Sequence, residues 1–137
     1  MLATAEAHAA GADEALLFNH RNEVAEAASA NFFWIAADAI LTPPDGSGAL
    51  LGVTRRLVLE LAATLGIETR QQTLAARQLD HVTAAFLTSS VQEVRSVRQI
   101  DGRSLARHAL VDGLHRAYRD RVETECRPRR RARRRRE

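Results

Sequence analysis

EAASANFFWIAADAILTPPDGSGALLGVTR, residues 26–55, falls into three parts that decide the fold. Phe32, Phe33, Trp34 and Ile35, followed by Ala39, Ile40 and Leu41, form two short apolar runs rich in aromatic and β-branched residues, the pattern of a strand pair. Pro43-Pro44-Asp45-Gly46-Ser47-Gly48 cannot continue regular structure. Gly52-Val53-Thr54 then opens a helix, whose first backbone N–H groups lack intrahelical acceptors and carry the positive end of the helix dipole. An acidic side chain at Glu26, a loop, and an anion-ready helix start make the ground plan of a phosphate-cofactor site.

Working outward, Leu57, Val58, Leu61, Ala62 and Leu65 recur at helical spacing, which predicts a helix over Val53–Leu65 stopped by Gly66. On the N-terminal side, residues 2–10 read as an Ala-rich helix ending at Gly11, with a thin hydrophobic stripe. Ala15–Phe18 suits a buried strand, Asn19–Asn22 a polar turn, and Glu23–Glu26 the returning strand. On the C-terminal side, Ile67–Leu74 alternates as a strand and residues 75–81 form a short helix or turn. Ala84–Leu87 is a buried strand leading into Thr88-Ser89-Ser90. Val91–Ile100 alternates with slips and turns at Asp101-Gly102. Ser104 is expected to cap a last helix through about Val122, with Leu105, Leu110, Leu114 and Tyr118 on one face. The total is an α+β domain of mostly antiparallel strands with two main helices.

The chain has 137 residues, 45% of them hydrophobic, enough for one folded domain over 1–125. Its net charge of +3 hides two opposed parts: residues 127–136 hold eight arginines, so a tail of +7 follows a body of −4. The tail, 126–137, is low in complexity and expected to be disordered. It would attract polyanions without reading sequence, and no aromatic residue is interleaved for base stacking, so nucleic-acid binding is not the expected role. Cys126 is the single cysteine, which excludes an intrachain disulfide and suits a reducing compartment. No apolar run is long enough for a membrane span, and the first residues lack the basic start of a secretory signal. A cytoplasmic protein is the expectation. His8, His20, His81, His108 and His115 are scattered without zinc spacing. Ser47 lacks the setting of a nucleophile elbow.

The same stretch resembles the signature of the class IV pyridoxal-phosphate aminotransferases. Glu26, Ala28, Asn31, Phe32 and Phe33 match its first block, Ile40 and Thr42 its second, and Leu50, Gly52, Val53 and Arg55 its third. Further similarity lies in Gly11–Ala15, Phe86–Ser90 and Ile100–Arg103, so the likeness extends over about residues 2–103. It implies the C-terminal large domain of that fold, cut at its N-terminal end. It also implies pyridoxal 5'-phosphate as cofactor, an amino acid or aminodeoxychorismate as substrate, and a homodimer.

By that resemblance Glu26 is the carboxylate beside the ring nitrogen, where it favours the protonated ring. Leu50 packs under the ring. Val53 and Thr54 offer backbone N–H groups to the phosphate, with a hydroxyl each from Thr54 and Ser90. Ser90 and Val91 lie where the substrate carboxylate binds. Taken singly, these positions have plainer explanations: a strand-edge glutamate, a core leucine, an ordinary helix start. Departures from the family pattern are Ala27, where a glycine usually follows the glutamate, and SLARHAL in place of a glycine-rich turn.

All 20 basic residues are arginine. The family's chemistry runs through a lysine that forms the Schiff base with the cofactor, and by resemblance that lysine lies just ahead of Met1. The sequence therefore leads to an incomplete transaminase, or aminodeoxychorismate lyase, expected to be inactive alone and to bind the cofactor weakly or not at all. Alternatives are a non-catalytic cofactor-binding or dimerising remnant, and an anionic-surface binder acting through the tail.

Overall fold

The computed structural model describes residues 2–127. The elements are α1 (Leu2–Ala9), β1 (Leu16–Phe18), β2 (Val24–Ala27), β3 (Asn31–Ala36), β4 (Ala39–Thr42), α2 (Val53–Thr64), β5 (Thr69–Gln71), β6 (Ala85–Ser89), β7 (Glu93–Ser96), β8 (Gln99–Ile100), β9 (Arg103–Ser104) and α3 (Ala109–Cys126). Short 3-10 turns occupy Asp45–Ser47 and Ala76–His81. Beyond Arg127, the tail expected to be disordered lies outside the described residues.

The central sheet runs β5-β4-β3-β6-β7. Its pairs are antiparallel except β4 with β5, which is parallel. The strand pair read from Phe32–Ile35 and Ala39–Leu41 is β3 and β4. Their two-residue link, Ala37 (φ 49°) and Asp38 (φ 60°), takes the left-handed conformation at both positions. A right-handed strand twist favours such a link, usually through Asn-Gly.

Strand β3 is apolar from Phe32 onward because both of its faces are covered. Phe32 and Trp34 point into one core with Leu41, Leu87, Leu74, Leu79, Val82 and Val24. Phe33 and Ile35 point into the other, with Ile40 and Phe86, and Val58, Leu61 and Ala62 of α2 and Val111, Leu114 and Tyr118 of α3 close it. The period of two thus divides residues between two cores rather than between core and water. Phe33 and Phe86 stack with ring centroids 4.7 Å apart, and each such ring contributes about 1.5–3 kcal/mol by leaving water.

Several local expectations change. Ala15–Phe18 is not a buried strand: β1 and β2 form a separate ribbon with one face on the core, leaving Phe18 exposed. Only Thr69–Gln71 of Ile67–Leu74 pairs, as an exposed edge strand. Ser104 does not cap the last helix; it belongs to β9, and the chain continues extended as the Leu105 N–H donates to the Arg98 carbonyl. Helix α3 starts at Ala109 instead, where His108 Nδ1 accepts the Leu110 N–H, and it runs on to Cys126. Leu105 consequently packs in the first core beside Leu16, Val97 and Ile100, not along the helix. Leu65 is the C-cap of α2 and is exposed. Helix α1 buries none of its residues, in line with its thin stripe. Among the described residues no helix is long and apolar enough to cross a membrane, and no three potential metal ligands cluster.

Candidate functional site

The end of β2, the start of β3, the loop ahead of α2 and the β6–β7 turn converge on an open cleft of about 340 Å³. Glu26, Leu50, Val53, Thr54 and Ser90, far apart in sequence, all line it. Val91 is not among its lining residues; it stands at the adjoining turn with its side chain 89% exposed.

Glu26 is half-buried on β2, and its Oε2 accepts the Leu50 N–H at 3.0 Å. This bond holds the carboxylate against the loop. Leu50 itself is 79% exposed, which removes its reading as a core leucine and leaves an apolar side chain at the cleft mouth.

Asn31 organises the opposite side of the loop. Its Nδ2 donates to the Leu50 carbonyl at 2.7 Å and its Oδ1 accepts the Gly52 N–H at 3.2 Å. One amide thereby sets the position of both Leu50 and the N-cap of α2. Gly52 brings no side-chain cap, so the first turn of α2 presents its N–H groups without a side-chain acceptor among the described residues. That is the arrangement that attracts an anion. Thr54 is buried at the base of this turn, whereas the Val53 side chain is exposed.

Thr88 is a further cleft residue. It pairs with Asn31 across β3 and β6, and directly opposed residues of an antiparallel ladder project to the same face. Its hydroxyl is buried without a hydrogen-bond partner among the described residues. A polar atom of this kind normally finds a partner. Asn31 and Thr88 were not among the site residues expected from sequence, although Asn31 falls within the motif. The legible signal was a polar residue heading an otherwise apolar strand.

Arg55, which ends the motif, does not serve the cleft. Its side chain is almost fully buried, and Nη2 reaches the Pro43 carbonyl and Asp45 Oδ1, both at 3.5 Å. It anchors the Pro43–Gly48 loop to α2 instead.

The β6–β7 turn that carries Ser90 is braced twice. Ser89 Oγ accepts the Gln92 N–H at 2.9 Å. Glu93 accepts from Arg119 Nη1 at 3.1 and 3.3 Å and lies 3.3 Å from His115 Nε2. The Arg119 hydrogen bond lowers the Glu93 pKa from the ordinary glutamate range, and the bond with His115 adds to it against the cost of partial burial.

This donor set fits a phosphate-bearing group with a basic ring nitrogen. The uncapped helix start and the hydroxyls of Thr54 and Ser90 suit the phosphate, Glu26 suits the protonated nitrogen, and Leu50 offers an apolar surface. The family model for amino-transferase class IV matches residues 1–100.

The chain belongs to the class IV aminotransferases.

Among curated members of this family, the branched-chain-amino-acid aminotransferase of Pseudomonas aeruginosa is 34% identical over 125 residues, covering 89% of this chain and 40% of its own length. The Escherichia coli enzyme of the same name is 33% identical over 102 residues, 74% of this chain and 33% of its own. The fold agrees with solved structures. The branched-chain aminotransferase of Thermoproteus uzoniensis, solved with norvaline, aligns with a TM-score of 0.87 at 31% identity, over 90% of this chain and 42% of that one. A second branched-chain amino acid aminotransferase, solved in complex with N-(5'-phosphopyridoxyl)-L-glutamate, aligns with a TM-score of 0.84 at 35% identity, over 93% and 43%. The chain thus spans 33–43% of the length of these relatives.

Proposed function

We propose that this chain forms the cofactor-holding part of a branched-chain-type aminotransferase that uses pyridoxal 5'-phosphate and acts on amino acids. The observation that carries the reading is the convergence of Glu26, Leu50, Val53, Thr54 and Ser90 on one cleft that ends at the uncapped start of α2. Relatives at 34–35% identity that bear this activity in their names support it.

In this reading the N–H groups of Val53 and Thr54, with the Thr54 and Ser90 hydroxyls, hold the phosphate. Glu26 keeps a proton on the ring nitrogen, and the Leu50 side chain packs against the ring. The Val91 N–H and Ser90 receive the substrate carboxylate. Bound there, the cofactor would supply an electron sink for exchange of an amino group between an amino acid and a keto acid. The sequence contains no lysine, so the amine that such chemistry requires has to come from outside these 137 residues. The chain by itself is expected to bind the cofactor only weakly and not to turn it over, and to work within a homodimer.

Pyridoxamine 5'-phosphate tests this, because its binding needs no lysine. Titration of the full chain should give saturable binding that inorganic phosphate competes away. Pyridoxal phosphate followed by borohydride should leave no side-chain adduct, any reduced linkage being confined to the amino terminus. Absence of saturable pyridoxamine phosphate binding would sink the cofactor assignment, and sedimentation of the chain reads the dimer.

A further inference from the structure

The β6–β7 turn carries a conformational anomaly. Ser89 pairs with Glu93 across the hairpin, and Glu93 closes the turn with φ +60°. A turn of this length usually ends in a left-handed residue, and glycine is the residue that takes it without a steric penalty. Here a glutamate takes it. The only side chains bonded to Glu93 among the described residues are His115 and Arg119 of α3. These two stand one helical turn apart, so both reach the same carboxylate from one face of α3.

The position matters because the turn is part of the cleft wall. Ser89 and Ser90 line the cleft together with Val53 and Thr54, and Val91 follows directly. The other brace, Ser89 Oγ to the Gln92 N–H, lies within the turn and fixes its shape but not its place on the domain. Helix α3 is fixed to the core by Val111, Leu114 and Tyr118. Val94 packs in the same cluster as those three residues and ties β7 to the helix, so the Glu93 carboxylate is the polar side-chain link between that fixed helix and the turn end of the hairpin.

We propose that Glu93 is a positioning residue for the cleft: clasped by His115 and Arg119, it holds the β6–β7 turn so that Ser90 and Val91 stand where a bound phosphate or carboxylate meets them. The inference rests on the cofactor reading for its ligand, but the clasp itself is measurable without one. Exposed ion pairs contribute little to global stability. The clasp is thus expected to show in the order of the turn and in affinity rather than in the melting temperature.

Two variants of the full chain separate the contributions. Glu93→Gly removes the carboxylate while relieving the left-handed backbone, and Arg119→Ala removes the main partner while leaving Glu93 in place. Both should speed amide hydrogen exchange at Gln92, whose N–H is bonded to Ser89 Oγ within the turn, by about tenfold or more, with the melting temperature near that of the wild type. Both should weaken pyridoxamine 5'-phosphate binding by a similar factor, and the double variant should bind no worse than either single one. Unchanged exchange at the turn in both variants would overturn the clasp. Faster exchange with unchanged pyridoxamine phosphate affinity would overturn its role in positioning. A fall in stability that accounts for the whole affinity loss would reduce Glu93 to an ordinary structural residue. Failure of the wild type to bind would remove the cofactor reading and the positioning role together, while the exchange comparison would still decide whether the clasp exists.

Discussion

Asn31 Oδ1 lies 3.2 Å from the Gly52 nitrogen, and a Cβ built at position 52 would come within 2.6 Å of the same oxygen. The glycine is required by this approach, since its φ of −72° is open to any residue. The Asn31 amide cannot retreat freely because its other end is bonded to the Leu50 carbonyl. Gly52→Ala should therefore cost about 1–3 kcal/mol in chemical denaturation, the usual range for overpacking. It should also accelerate exchange of the residue 52 amide. A variant as stable as the wild type would mean that the Asn31 side chain has a second resting place.

Glu26→Gln isolates charge from geometry. The amide oxygen can still accept the Leu50 N–H that Glu26 Oε2 takes at 3.0 Å, so the melting temperature should hold within a few degrees. Pyridoxamine phosphate binding should weaken by about tenfold or more, because the cofactor's ring proton loses its counter-charge. Equal affinity in the two proteins would remove Glu26 from the site.

Phe33 is fully buried between the two helices and β6, stacked on Phe86. Phe33→Ala should cost about 3–5 kcal/mol, the transfer term plus the cavity left between rigid neighbours. Thermal or urea unfolding reads it directly. A loss well below that range would show that α2 and α3 collapse onto the gap.

Acid should weaken the fold through its paired carboxylates. The pKa of Glu93 is lowered by its bond with Arg119, that of Asp112 by its bond with Arg107, and that of Glu23 by its bond with Asn19. Each binds a proton less readily folded than unfolded, so unfolding takes up protons in acid. Their contribution is complete above the ordinary carboxylate range and is lost as pH falls through the lowered folded values. Unfolding midpoints measured downward from pH 7 should decline below that range, and Arg119→Ala should flatten part of the decline.

Much of the cleft lining was legible because its residues sit in one motif whose order survives folding. Glu26, Leu50, Val53 and Thr54 come from a single stretch of 30 residues, residues 26–55, and Ser90 from a hydroxyl cluster ending an apolar strand. Asn31 and Thr88 were harder to assign. Their importance comes from being paired across β3 and β6, a relation between residues 57 apart that no local pattern carries. Ser104 misled for the opposite reason. A serine ahead of an apolar run is a good local cap signal, but the hydrogen bonds of Leu105 and Ala106 to Arg98 and Thr83 keep that segment extended. Tertiary pairing overrode the cap.

Sequence by itself determined the order of the strands and helices as far as Ile100, the placement of a helix start after a Gly-rich loop, and the absence of a lysine within these residues. Those properties follow from local spacing and composition, which do not depend on how the chain closes up. Only the tertiary structure decided that β3 is buried on both faces, that Arg55 anchors a loop rather than facing the cleft, and that Glu93 is tied to α3. Each depends on side chains brought together from distant positions, where burial and bond geometry, rather than residue type, select the partner.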